Sequence, residues 1–178
     1  MHTRRLHFIL IFLPICLVLY GQYAFASSTE GRAEKYRQLQ QLYADGNCKD
    51  ALDEANTLLA QKPESKDTAA LPLIVGLECL NKLKLHNRFD DLVELALKTH
   101  PRDIPLLVAS ARGYLNTNHR AQDGQRSQYW GSWDISEYDR LRALQIMAVA
   151  MDLLHKQSPI NEPLWVDVYT AYTDAFIF

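Results

Sequence analysis

Residues 32–63 read RAEKYRQLQQLYADGNCKDALDEANTLLAQKP, and this stretch decides the fold class. Apolar residues recur three and four positions apart on both sides of Asp45-Gly46-Asn47, which is the spacing of one buried helix face. The pattern predicts two helices, 32–44 and 49–60, joined by a short turn. Pro63 closes the unit, because a helix cannot easily continue through proline.

This hairpin carries the anchors of a tetratricopeptide-like repeat: Gly46 at the turn, the small Ala51 early in the second helix, and the closing Pro63. Further helices are predicted at 68–83, 89–99 and 104–115. Pro101 closes the second unit 38 residues after Pro63, close to the repeat length of about 34 residues in that class. The predicted fold is all-α, a tetratricopeptide-like helical hairpin array (α-solenoid) with one long irregular loop.

The irregular loop is predicted at 116–134, a polar stretch too long for a hairpin turn. A strong helix then begins near Ser136, where Ser136-Glu-Tyr-Asp139 fits a capping box, and it ends near residue 156. Its apolar residues are expected on one inner face: Leu141, Leu144, Ile146, Met147, Val149, Ala150, Leu153 and Leu154.

The last helix starts near residue 162, and its large side chains repeat at helical spacing. One apolar stripe is predicted from Trp165, Tyr169, Tyr172 and Phe176, and part of it is expected to pack on Leu144, Met147 and Met151. Residues 176–178 are expected to leave an exposed apolar patch. Because repeat arrays close with a polar cap, this end predicts that the repeat domain, 27–178, is truncated at its C-terminal side, or that the segment pairs with another chain.

The first 26 residues have the anatomy of an export signal. Arg4 and Arg5 precede a 13-residue apolar run, 8–20, and Ala24-Phe-Ala26 forms a cleavage site of the A-x-A type. The run is shorter than the roughly 20 residues that a membrane span needs. We expect a mature chain that begins near Ser27 and resides in the periplasm or cell envelope, or is secreted. Its only membrane contact is then through the signal.

Composition excludes several functions. Without residues 1–26, the chain has 21 acidic residues against 17 basic ones, a net charge of −4 that does not suit nucleic acid. The histidines lack metal-ligand spacing, and neither a nucleophile elbow nor a phosphate-binding glycine loop occurs. We therefore predict no catalytic, metal or cofactor residues, and a protein as the partner.

Cys48 and Cys79 are the two cysteines of the mature chain. In an oxidising compartment an even count predicts a disulfide between them. The alternative is a pair of buried thiols that pack as small apolar side chains.

The segment 120–142 concentrates arginine and aromatic residues, the types that carry interface energy. One interpretation is contact with a partner. In the other, Trp130 and Trp133 fold back to cover the groove of the helical array, and the arginines pair with Asp134, Glu137 and Asp139. The candidate interaction or loop-anchoring residues are Arg120, Arg126, Tyr129, Trp130, Trp133, Asp139, Arg140 and Arg142.

The run from Gly131 to Met147, GSWDISEYDRLRALQIM, resembles a segment near the N-terminus of large bacterial alpha-2-macroglobulin-like proteins. The matching positions are Asp139, Arg140, Arg142, Ala143, Leu144 and Gln145. The resemblance implies an all-helical, signal-led region ahead of a series of β-sandwich domains, and a protein partner that includes those downstream domains of the same polypeptide. The thioester motif of that group is absent, since Lys49 follows Cys48 and Leu80 follows Cys79.

Three functional hypotheses follow from these patterns. The first is a non-catalytic, exported interaction domain of an alpha-2-macroglobulin-like protein of the endopeptidase-inhibitor class. The second is a stand-alone periplasmic tetratricopeptide-like adaptor, and the third is a helical accessory domain of an enzyme. Coding sequence beyond codon 178 discriminates them: repeated β-sandwich patterns, a prompt stop, or a catalytic motif.

Overall fold

A computed structural model of the chain describes residues 31–62, 68–116, 132–157, 159 and 161–177, with the side chains of 132–136 excepted. The chain divides into two compact units, Met1–Gln38 and Leu39–Phe178. Only residues 31–38 of the first unit are described, and they are helical. The predicted export signal, 1–26, lies outside the described residues and stays a prediction.

The described residues form seven α-helices and no β-strand, which confirms the all-α class. The helices are α1 (31–44), α2 (Cys48–Ala60), α3 (Ala70–Lys82), α4 (Phe89–Thr99), α5 (Ile104–Asn116), α6 (Ser132–His155) and α7 (Glu162–Ile177). A short 3-10 helix, His86–Arg88, precedes α4. The predicted bounds of α4 are correct, and those of α2, α3 and α5 differ by one or two residues.

The turn between α1 and α2 forms where the sequence predicts it. Gly46 has a φ of +77°, in the left-handed region that glycine adopts without steric cost. Its N–H donates to the Tyr43 carbonyl at 3.1 Å, and the Asn47 N–H donates to the Leu42 carbonyl at 2.8 Å. These bonds satisfy carbonyl groups at the end of α1 and reverse the chain.

Within the second unit, helices pack on their chain neighbours and on the helix after next. α2 packs on α3 and α4, α3 on α4 and α5, and α5 on α4, α6 and α7, while α6 packs on α7. Small residues lie at many of these contacts. Ala51, Ala55, Ala96, Ala111 and Ala143 are all fully buried. Such side chains let helix axes come close together.

The predicted start of α6 is wrong. The helix begins at Ser132, so the expected capping box at Ser136 lies inside it. Neither glycine nor proline occurs between Ser132 and Asp139, and nothing there stops the helix from extending. Asp139 is only 8% exposed. It is therefore part of the packed face and does not serve as a cap residue.

The predicted inner face of α6 is also partly wrong. Leu141 and Val149 are 48% and 47% exposed, whereas Ala143, Met147 and Ala150 are fully buried. The eight residues expected inside span more of the helix circumference than one buried face covers. Leu141 and Val149 lie outside that face.

The aromatic stripe of α7 is partly covered, since Trp165 and Tyr172 are half-buried whereas Tyr169 and Phe176 are exposed. Its contact with Leu144, Met147 and Met151 stays a prediction.

The fully buried residues of α7 are Val168, Ala171 and Ala175, while Tyr169 is 43% exposed. Small side chains at this spacing allow α7 to approach α5 and α6 more closely than aromatic rings would. The expected exposed patch is present at Phe176 and Ile177, which are 68% and 78% exposed. Phe178 lies outside the described residues.

Candidate interaction groove

A groove of about 540 Å³ lies along α3 and α5 and reaches α7. Ten of the residues that line it form five pairs, each 35 residues apart: Ala70 and Pro105, Ile74 and Ala109, Leu77 and Arg112, Glu78 and Gly113, Asn81 and Asn116. α3 and α5 therefore present the same helical positions to the groove.

Asp103 fixes the beginnings of the two helices against each other. Its Oδ2 accepts a hydrogen bond from the Ala69 N–H at 2.6 Å, just before α3. Its Oδ1 accepts bonds from the Thr68 hydroxyl at 2.9 Å and from the Leu106 N–H at 3.0 Å in α5. One carboxylate thus caps α5 and holds the start of α3, which sets the width of the groove at this end.

Gly113 permits the close approach of α5 to its neighbours. A Cβ atom at this position would lie 3.0 Å from the Leu77 side chain and 3.4 Å from the Phe89 ring. The ring of Phe89 also packs edge-on against Tyr114, with centroids 5.2 Å apart. The floor of the groove is therefore tightly packed on its inner side.

The polar groups of the groove lie along its rim. Arg112 forms a 2.7 Å salt bridge with Asp167 of α7, and both side chains are about 40% exposed. Glu78 accepts a hydrogen bond from the Tyr43 hydroxyl, and the Lys82 ammonium lies 4.1 Å from the centre of the Tyr43 ring. Asn81 and Asn116 are exposed at the ends of α3 and α5. The groove thus combines an apolar floor with neutral amides and paired charges.

Sequence reasoning did not identify the residues that line this groove. The signal that could have revealed it is the repeated pair Leu80-Asn81 and Leu115-Asn116, at the 35-residue spacing. The two closing prolines are 38 residues apart, and this distance includes the residues of the connecting loops. It therefore differs from the 35-residue spacing of equivalent helix positions.

Arg142 joins α4 to α6 on another side of the second unit. Its Nη2 and Nε donate to Glu94 at 2.6 and 3.1 Å. The Tyr114 hydroxyl lies 3.4 Å from carboxylate oxygens of Asp90 and Glu94. Burial and these two carboxylates raise the pKa of Tyr114, because they disfavour the phenolate. Arg142 thus contacts a neighbouring helix of its own chain.

The other predicted interaction residues are only partly described. Arg140 donates to Glu137 at 2.6 and 2.9 Å, a pair three residues apart within α6 that does not test loop anchoring. Four candidates, Arg120, Arg126, Tyr129 and Trp130, lie outside the described residues, as does the Trp133 side chain. Partner contact and loop anchoring therefore stay predictions for this segment.

Cys48 and Cys79 are brought together by the packing of α2 on α3. Both are free in the structure, at 7% and 0% exposure. Burial, together with a hydrogen bond to Cys48, raises the pKa of the Cys79 thiol to about 12. The two side chains are therefore adjacent, the Cys79 thiol is protonated near neutral pH, and the disulfide between them stays a prediction.

Little in the described chain suggests reaction chemistry. Buried His100, 1% exposed, lies at the end of α4, and its Nε2 donates to the Leu59 carbonyl at 3.0 Å, a structural bond. Among the residues that the structure describes, no cluster of His, Cys, Asp or Glu side chains has the arrangement of a metal site. None of the described helices is both long and apolar enough to span a membrane.

Comparison with known proteins leaves the family open. No family model, curated protein or solved structure matches the chain. The resemblance of residues 131–147 to alpha-2-macroglobulin-like proteins therefore stays an expectation drawn from sequence.

Proposed function

We propose that this chain is an exported, non-catalytic protein-interaction domain that binds an extended polypeptide segment along the groove between α3 and α5. The observation that carries this proposal is the set of five residue pairs, 35 residues apart, that line the groove. A surface that repeats itself along a groove suits a ligand that also repeats, such as a polypeptide backbone.

The composition of the groove supports the same ligand class. Ile74, which is 44% exposed, provides apolar contact area, and a volume near 540 Å³ accommodates a few side chains. Asn81 and Asn116 each offer a donor and an acceptor, which match the N–H and C=O groups of an extended segment. The rim charges are paired, so the proposed ligand is selected by shape and hydrogen bonding more than by net charge.

We further propose a tetratricopeptide-like arrangement for the helices. Packing of α2 on α4, α3 on α5 and α5 on α7 supports it, since stacked hairpins bring alternate helices together. The 35-residue spacing of the groove pairs is also close to the repeat length of about 34 residues.

The partner and compartment are part of the proposal. The resemblance of residues 131–147 favours an N-terminal region of an alpha-2-macroglobulin-like envelope protein, whose downstream domains supply the bound segment. N-terminal sequencing of the protein from a Gram-negative host tests export: we expect a start near Ser27, and a retained Met1 on a cytoplasmic product contradicts it.

Peptide selection tests the groove directly. Linear peptides are selected on the mature chain from a displayed random library. Their affinity is then measured by fluorescence anisotropy for three proteins: the mature chain, its Ile74→Arg variant and its Leu83→Arg variant. We expect Ile74→Arg to weaken binding at least about tenfold, because it places a charge against apolar peptide contacts. Leu83→Arg is the matched control, since Leu83 is similarly exposed, at 38% against 44%, but does not line the groove. Equal affinity for both variants would overturn the proposal.

A further inference from the structure

Cys48 and Cys79 occupy different places in the helix pair that they join. Cys48 is the first residue of α2, directly after the turn at 45–47, and Cys79 lies in the last turn of α3. The side chains of the two residues are in hydrogen-bonding contact. Contact between two thiols is the starting point for thiol–disulfide exchange at both of them.

The two thiols differ in their access to solvent. Cys48 is 7% exposed, and the residues on either side of it, Asn47 and Lys49, are exposed. Cys79 is 0% exposed, and the helix that carries it packs on α2, α4 and α5. A reagent in solution therefore reaches the thiol of Cys48 more easily than the thiol of Cys79.

The helix ends that carry the two thiols are also secured differently. The side chain of Asn47 forms no capping hydrogen bond to the N–H groups of α2. The end of α3 is closed by a Schellman-type turn, in which Lys84 has a φ of +57° and the Leu85 N–H donates to the Leu80 carbonyl at 2.9 Å. Helix ends that lack a cap open at a lower cost in free energy. Opening of the first turn of α2 therefore exposes Cys48 while α3 stays packed.

We propose that the two cysteines form a thiol–disulfide exchange site with fixed roles, in which a small-molecule disulfide of the glutathione class reacts at Cys48 and Cys79 then resolves the mixed disulfide. In the first step the Cys48 thiol loses its proton, and its sulfur attacks one sulfur of the external disulfide. A new S–S bond forms, and the external S–S bond breaks to release one thiolate, which takes up a proton.

In the second step the Cys79 thiol loses its proton, and its sulfur attacks the sulfur of Cys48. The bond between the two cysteines forms, the mixed disulfide breaks, and the second external thiolate leaves and takes up a proton. Overall, two thiols of the protein are oxidised to one disulfide, and one external disulfide is reduced to two thiols.

The environment of Cys79 suits the second step and not the first. Burial and the hydrogen bond to Cys48 raise the pKa of Cys79 to about 12, so its thiolate is scarce near neutral pH and reacts slowly with a dilute reagent. With Cys48, which it already contacts, its reaction is intramolecular and its effective concentration is high. Neither cysteine lines the groove between α3 and α5, so this site is independent of the proposed peptide binding.

The test follows the reduced mature chain and two single variants, Cys48→Ser and Cys79→Ser, during reaction with glutathione disulfide. Samples are quenched in acid and analysed by intact mass. We expect Cys79→Ser to gain one glutathione at least about fiftyfold faster than Cys48→Ser, because its remaining thiol is the accessible one. The unaltered chain should end two hydrogens lighter, without bound glutathione.

Unfolding in guanidinium chloride is the control for intrinsic reactivity, and the rates of the two variants should then agree within about threefold. A second measurement needs no substitution. Limiting iodoacetamide on the reduced, unaltered chain, followed by peptide mapping, should label Cys48 at least about tenfold more than Cys79. Equal labelling, or preferential labelling of Cys79, overturns the inference. So do equal rates for the two folded variants, or an unaltered chain that retains glutathione and forms no internal disulfide.

Discussion

The helices α2–α5 and the pair α6–α7 have similar apolar content, but they bury it differently. Phe89, Leu58, Leu73 and Leu106 in the first region are among the largest fully buried side chains of the described chain. In the second region α6 buries Met147 and Leu154 fully, whereas the residues that α7 buries fully are Val168, Ala171 and Ala175. In the second region, Phe176 and Ile177 are mostly exposed. The difference teaches that apolar residues at helical spacing mark a face suited to packing. The spacing does not tell whether another described helix covers that face.

The largest contrast is expected for the same substitution in the two regions. Phe89→Ala removes a ring that is 1% exposed and packs on Tyr114, so the free energy of unfolding should fall by about 3–5 kcal/mol. Phe176→Ala removes an exposed ring and should change it by less than about 0.5 kcal/mol. Urea denaturation followed by circular dichroism measures both. Similar losses would mean that Phe176 is packed in solution.

A Cys48–Cys79 disulfide would strengthen the first region only, because α6 and α7 contain no cysteine. The bond would close a loop of about 30 residues and contribute about 3–4 kcal/mol in the chain-entropy model. We expect the exported protein to lack two hydrogens by intact mass and to unfold at lower temperature after reduction. Cys48→Ala with Cys79→Ala, tested under reducing conditions, provides the control. Two free thiols by mass in the exported protein would favour the buried-thiol alternative.

Equivalent helix caps give the next contrast. Asp103 bonds to three groups on two helices, whereas Asn161 makes one side-chain bond of 3.3 Å to Leu164. Asp103→Ala should lower the free energy of unfolding by about 2 kcal/mol, and Asn161→Ala by about 1 kcal/mol or less. Chemical denaturation of both variants measures this. Equal losses for the two variants would mean that the hydrogen bonds from Asp103 to the start of α3 add nothing to the free energy of unfolding.

The smallest expected effect is on the free energy of unfolding at alkaline pH. The pKa of Tyr114 is raised in the folded chain by burial and by Asp90 and Glu94, above its unfolded value of about 10. Folding therefore retains a proton that the unfolded chain loses, so this contribution is intact below about pH 10 and decreases as pH rises beyond it. Tyr114→Phe should flatten the decrease in unfolding free energy between about pH 9 and pH 11. An unchanged slope would show that other groups control it.

Sequence was sufficient for the parts of the fold that local chemistry decides. The Gly46 turn, the α4 bounds and the all-α class follow from spacing, glycine and proline. The start of α6 was misplaced because a capping box at Ser136 is a local pattern, and nothing nearby prevents the helix from beginning earlier. Leu141 and Val149 were assigned to the core from their spacing alone. Spacing does not show how much of the helix surface is covered by neighbouring helices.

The candidate groove was beyond sequence reasoning for a related reason. Its walls come from α3 and α5, and its rim includes Asp167 of α7, so it exists only once three helices are packed. The bond from Ala69 to Asp103 likewise depends on the packing of α5 against the start of α3, which local sequence does not show. Cys48 and Cys79 lie close together because α2 and α3 are consecutive and packed, whereas the disulfide between them stays a prediction.

The pattern of packing also bears on how the chain acquires its structure. Each main contact joins helices that are adjacent or one apart along the chain. Contacts between segments close in sequence have a small loop-closure entropy and form quickly. If the chain emerges from a secretion channel N-terminus first, α2 can pack on α3 before α6 has emerged. The completed hairpins then serve as a template on which each later helix settles in turn.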